Sequence, residues 1–371
     1  MVSSDFLRFN LNFYFINRIM KQQPLRCAYL EQQITLDHLE QPRPCCQFSK
    51  TISIDNYQKD AQKYVDRLYN GEQISECSMC WNLENKGIRS LRQQYNHSEE
   101  INETEKPSNN IMLTKLDIRI NNKCNLACTM CGNWASSLWE KIISNGNEKN
   151  IDSKSLDFVK TIEKDLRRIS LQGGEPFFGN EYKEFLDSLQ YKNQIQVEVF
   201  TNLITANEND LVKWDNEFDK FILNVSVDGI HERYTDIRWP TTWKKFNKKS
   251  IQILPKLKNV RFFYTVQNIT IEYISDFISW RNHTVPDAAI IFPILQFPFP
   301  LSIAYSSQSQ LDKSISDIEN LIANGEEKIE NLSQILIALK QVKVNEKFVT
   351  KQMKFLANIE KQRSNYIKKS M

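Results

Sequence analysis

The rhythm of apolar residues from about 114 to 295 limits this chain to one class of fold. Leu116-Asp117-Ile118-Arg119-Ile120 alternates apolar and polar side chains, the period of a strand. Residues 153–168 carry Leu156, Val159, Ile162 and Leu166 three or four apart, the period of a helix. Strand-like runs recur at 169–171, 195–200, 221–227, 260–266 and 288–295, with helical stretches near 180–190, 208–215, 241–254 and 270–281 between them. Such alternation predicts parallel strands joined by right-handed crossovers. The expected class is α/β, either an open doubly wound sheet or a partial (β/α)6 TIM-like barrel. Both place ligands at the C-terminal ends of the strands.

On either side the pattern differs. Residues 95–110 are polar, without apolar period, and read as a linker. That divides the chain into an N-terminal cysteine-rich module with its linker at 1–110, the α/β core at 111–305 and a helical extension at 306–371. In the extension Leu311, Ile315, Ile318 and Ile322 form one apolar stripe, stopped at Asn324-Gly325. Ile329, Leu332, Leu336 and Leu339 form a second, and Phe348, Phe355, Leu356 and Ile359 a third. All three read as helices packed on the core. A net charge of +3, from 48 basic and 45 acidic residues, argues against bulk attraction to nucleic acid or membrane. No apolar run reaches the ~18 residues of a membrane span, and the N-terminal stretch lacks the parts of a signal peptide. The expectation is a cytoplasmic protein, with Met20 as an alternative start.

The eight cysteines all fall at or before residue 131, in two groups. In a cytoplasmic chain, clustered thiols speak for metal or redox chemistry rather than a disulfide framework. The second group is Cys124, Cys128 and Cys131, spaced C-x3-C-x2-C on the loop that follows the first core strand. Thiolate is the natural ligand of iron–sulfur iron, and three thiolates leave one iron of a [4Fe-4S] cluster open. A zinc site would want four ligands, and no histidine lies nearby. Further along, Gln172-Gly173-Gly174-Glu175-Pro176 follows the second strand, Phe200-Thr201-Asn202 ends the third, and Ser226-Val227-Asp228-Gly229, with Arg238 beyond it, ends the fourth. Gln267-Asn268 ends the fifth and reads equally as site lining or loop cap.

In this combination and order the segment of about 114–300 resembles the radical S-adenosylmethionine (SAM) superfamily. The resemblance implies that Cys124, Cys128 and Cys131 hold a [4Fe-4S] cluster whose free iron binds SAM. One electron would split SAM to methionine and a 5'-deoxyadenosyl radical, which abstracts hydrogen from a substrate. Gly173-Gly174-Glu175-Pro176 is similar to the family's GGEP motif, with Glu175 facing the SAM amine. Thr201-Asn202-Leu203 is similar to its TNG segment, with leucine in place of glycine. Ser226, Asp228 and Arg238 resemble an S-x-D-G…R pattern in which Ser and Arg contact the SAM carboxylate; Arg suits a carboxylate because its fork can hold both oxygens. Met130 stands where the family usually has an aromatic residue against adenine.

The first thiol group is Cys27, Cys45-Cys46 and Cys77-x2-Cys80-Trp81, followed by Ser90-Leu91-Arg92-Gln93-Gln94-Tyr95-Asn96. It resembles the cysteine-rich modules of SPASM/twitch-type radical SAM proteins, though those more usually follow the barrel. The resemblance implies a second Fe–S cluster on Cys27, Cys45 or Cys46, Cys77 and Cys80; a structural zinc ribbon is the alternative. It also implies an electron donor such as a flavodoxin or ferredoxin. A peptide or protein is the expected substrate. The alternatives are an epimerase or dehydrogenase acting on a small molecule, and a non-catalytic zinc or Fe–S binding module. Neither GxxxxGK[ST] nor a GxGxxG after the first strand is present, and no nucleic-acid signature appears.

Overall fold

The computed structural model describes residues 25–39, 42–85, 87, 89–102, 105–326, 329 and 331–370. The N-terminal stretch with Met20 lies outside them. The chain forms two compact units.

Unit 1 comprises the described residues of 25–36, 42–117 and 153–166. Its strand β1 is Gln33–Asp37, buried along its whole length, and the first residues of β2, Lys115–Arg119, are its neighbour. The helix Tyr57–Tyr69 buries Tyr57, Ala61, Val65 and Leu68, one stripe at helical spacing. Residues 95–98, expected as linker, are the end of a helix, Leu91–Ser98. Ser90 and Gln93 close a capping box at its start, satisfying two backbone donors that would otherwise be orphaned. On that helix Arg92 is buried, bonded to Glu84 at 2.8 Å and to the Arg26 carbonyl at 2.8 Å.

Unit 2 comprises 37–39, 118–152 and the described residues from 167 onward. Its strands are the end of β2, then β3 Arg168–Leu171, β4 Gln196–Thr201, β5 Lys220–Val227, β6 Val260–Tyr264 and β7 Ala289–Ile291. They stand side by side in chain order, and the pairs from β3 to β7 are parallel. Chain order never reverses, so crossovers of one hand lay every helix on the same face. A sheet covered on one face and wound one way is an open arc of a barrel, not the doubly wound alternative. β5 is buried at six of its eight positions, the continuous burial of a parallel strand in the middle of a sheet.

The three C-terminal helices are Gln308–Ala323, Leu332–Gln341 and Glu346–Ser370, all in unit 2. The first ends where the sequence predicts: Gly325 takes φ +92°, a left-handed turn natural to glycine. Among the described residues no helix is long and apolar enough to cross a membrane.

Candidate active site

The loop after β2 carries Cys124, Cys128 and Cys131, and its shape is set by bonds from its own neighbours. Ser136 Oγ donates to the Leu126 carbonyl at 2.6 Å and accepts from the Trp139 amide at 3.2 Å, capping the helix Ser137–Ile143. Ser137 Oγ accepts from the Cys124 amide at 3.1 Å. Trp139 Nε1 donates to the Cys128 carbonyl at 2.9 Å. The amides of Ala127 and Thr129 reach the carbonyls of Trp239 at 2.8 Å and Ile237 at 2.9 Å, beyond β5. The loop therefore leaves few backbone groups to water, and its thiols are held in place before any ligand arrives.

These thiols open onto a cavity of about 350 Å³ at the C-terminal strand ends, large enough for a nucleoside-sized ligand. Cys124, Cys128, Cys131, Met130, Gly173, Gly174, Glu175, Asn202, Ser226 and Arg238 all line it. Asp228 does not; its carboxylate is bonded to Arg238 and accepts from the Thr265 amide at 2.8 Å, so it positions the arginine instead. Gln267 and Asn268 are also outside the lining; Asn268 Nδ2 donates to the Pro300 carbonyl at 2.8 Å, a loop brace. The first thiol group is in unit 1 and the cavity is in unit 2.

Glycines 173 and 174 have a different reason from ligand access. A Cβ on Gly174 would stand 1.9 Å from the Lys123 carbonyl oxygen, and one on Gly173, at φ +138°, 2.7 Å from that of Asn121. What approaches is the cysteine loop itself: the Gly174 amide donates to Asn121 O at 3.2 Å and that of Glu175 to Lys123 O at 2.6 Å. Behind them Glu175 is only 2% exposed. Thr201 Oγ1 donates to it at 2.5 Å and the Asn202 amide at 2.6 Å. Burial outweighs these bonds and lifts its carboxyl to about 7.

Leu203, in place of the TNG glycine, takes φ +69°. The left-handed turn persists although a bulky side chain must pay for it.

Arg238 is buried, with one nitrogen on Asp228 and Nη1 3.9 Å from Cys128 Sγ. The Cys128 thiol is lowered to about 7, first by its bond with Cys131 and then, against burial, by the Arg238 charge. Burial pushes Cys124 up. The sequence gives no sign of His38, Arg119, Trp134 and Thr265, which also line the cavity.

In unit 1, Cys27, Cys77 and Cys80 are buried, Cys45 is half-buried and Cys46 is exposed. Burial first, and then Cys27, Cys46 and Cys80, push the Cys45 thiol up; burial and then Cys27, Cys45 and Cys80 do the same to Cys77. Cys27, Cys45, Cys77 and Cys80 therefore lie within electrostatic reach of one another, and Cys46 acts on Cys45 as well. Among the described residues no three His, Cys, Asp or Glu side chains are drawn around a single ion position; a four-iron cluster spreads its thiolates wider than one ion does.

Residues 118–276 match the family model described as Radical SAM superfamily. No curated protein matches the chain. Among solved structures, native anSMEcpe with bound AdoMet is similar at 20% identity and a TM-score of 0.43, over 57% of this chain and 62% of that one. SuiB of Streptococcus suis bound to precursor peptide SuiA is similar at 12% identity and a TM-score of 0.41, over 81% and 70%. TYW1 with a lysine-pyruvate adduct is similar at 15% and 0.32, over 53% and 70%. The chain thus spans about three-fifths of the length of the first of these. The family match falls on the strands and loops that build the cavity, and residues 118–276 of this chain are a radical SAM domain.

Proposed function

We propose that the chain cleaves SAM reductively and uses the resulting 5'-deoxyadenosyl radical to take hydrogen from a substrate. The observation that carries this reading is the meeting, in one cavity, of three loop thiols with Glu175 and Arg238. That set matches the parts of the ligand: thiolates for iron, a carboxylate for the SAM ammonium and a guanidinium for its carboxylate. The residues fit. Cys124, Cys128 and Cys131 would hold a [4Fe-4S] cluster, which when bound supplies the electron that breaks the sulfonium C–S bond.

The chain's own groups do the rest. Glu175 holds the amine once its proton leaves. Arg238, kept oriented by Asp228, holds the carboxylate, with Ser226 beside it in the wall. Met130 offers a thioether face to the adenine. Asn202 Nδ2, bonded to Asn125 Oδ1 at 2.8 Å, ties the end of β4 to the cysteine loop.

The second part of the proposal is an auxiliary Fe–S cluster on Cys27, Cys45 or Cys46, Cys77 and Cys80, supported by the electrostatic influence these thiols exert on one another. A peptide or protein substrate follows from the likeness of this module to those of peptide maturases. A flavodoxin or ferredoxin as electron donor and a cytoplasmic setting complete the reading.

The test is SAM-dependent formation of 5'-deoxyadenosine by anaerobically reconstituted, dithionite-reduced protein, beside a Cys124/Cys128/Cys131→Ala variant. Product from the native protein alone is expected. Product from both, or native protein that binds zinc and no iron, overturns the reading.

A further inference from the structure

Arg363 lies 232 residues beyond Cys131 on the helix Glu346–Ser370, yet its side chain ends against the cysteine loop. Nη2 donates to the Ala127 carbonyl at 2.6 Å and to Thr129 Oγ1 at 3.2 Å, and Nη1 donates to the Asp236 carbonyl at 2.9 Å. The guanidinium is sandwiched between the indoles of Trp139 and Trp239, 5.7 and 5.5 Å from their centroids. The residue is 7% exposed, and Nε is buried without a hydrogen-bond partner.

Docking the helix does not require this arginine. Ile359 and Phe355 already pack on Ala127 and Trp139, and an apolar residue at 363 would avoid the desolvation cost of a buried cation. All three hydrogen-bond acceptors are neutral oxygens, so the charge acts through space, on Cys128 and on the carboxylates of Glu360 and Asp236. The residues it grips include both backbone neighbours of Cys128, and beside it is the indole that bonds the Cys128 carbonyl.

We propose that Arg363 is a positioning residue for the three-cysteine loop, clamping Ala127 and Thr129 from behind and setting a fixed positive charge at the back of the cluster site. This rests on the reading of that site as an Fe–S site. A nearby cation favours the more negative, reduced state of a cluster and so raises its reduction potential.

The experiment compares native protein with Arg363→Gln and Arg363→Lys, each reconstituted without oxygen. Three quantities are read: iron per chain, the lifetime of the cluster in a chelator and its midpoint potential in an EPR-monitored dithionite titration. R363Q keeps a donor but loses the charge, and its potential should move to more negative values. R363K keeps the charge but cannot hold both loop oxygens and the Asp236 carbonyl, so its potential should stay near native while its chelator lifetime falls about fivefold, the worth of one hydrogen bond. R363Q with native potential and native lifetime overturns the proposal. If R363Q does not fold by circular dichroism, R363K decides alone, and a native lifetime there overturns it. Native protein that holds no iron at this site sinks the Fe–S reading instead.

Discussion

Glu175 keeps its proton in the folded chain up to about 7, where an unfolded glutamate loses it near 4.5. Across that window the folded state binds more protons than the unfolded one, so stability falls as pH rises. The contribution is full below 4.5 and gone above 7. In the iron-free protein, urea titrations from pH 4.5 to 7.5 should show a decline on the order of 3 kcal/mol that Glu175→Gln removes; the same slope in the variant assigns it to another group. Leu203 sets two effects against each other. Glycine there would relieve about 1–2 kcal/mol of left-handed strain. It would also delete a fully buried leucine, worth about 2–5 kcal/mol. Burial wins, so Leu203→Gly should lower the melting temperature, and a rise would show that strain dominates. Sequence reading found the missing glycine here without its cause: a left-handed φ leaves no trace in an apolar residue's name.

At the scale of elements, the core strands were legible because each alternates or runs apolar between helical stretches, and β2 to β7 fall within a few residues of the expected runs. β1 was not, because Gln33-Ile-Thr-Leu-Asp37 buries polar and apolar positions alike and so hides its period. The linker assigned to 95–110 began too early, since the capping box at Ser90 and Gln93 is itself a helix-start signal. The three cysteines were plain from spacing, yet the scaffold that aims them was not: Ser136, Ser137 and Trp139 follow no pattern and act through single bonds. Trp139→Phe tests that scaffold. It keeps an aromatic ring but trims the indole to a phenyl and leaves the Cys128 carbonyl without its 2.9 Å partner. Denaturant unfolding should show a loss of about 1–3 kcal/mol, and an unchanged midpoint would mean that another donor reaches that carbonyl.

For the whole molecule, the division into two units assigns each thiol group its own support. Cys77→Ser with Cys80→Ser should therefore lower iron per chain while 5'-deoxyadenosine formation persists. Unchanged iron with zinc found in its place would replace the auxiliary cluster with a zinc ribbon. The cavity residues that sequence could not find, His38, Trp134 and Thr265, come from distant parts of the chain and meet only after folding.

The bond from Arg363 to Ala127 spans 236 residues. At ribosomal speeds of ~5–20 residues per second, the segment between them takes roughly 10–50 s to make. Through that interval the newborn cysteine loop has emerged without its clamp, open to oxygen and to competing metals. On the proposed reading, Arg363 leaves the ribosome only with the finished chain, eight residues from its end, so cluster insertion would be safest after release.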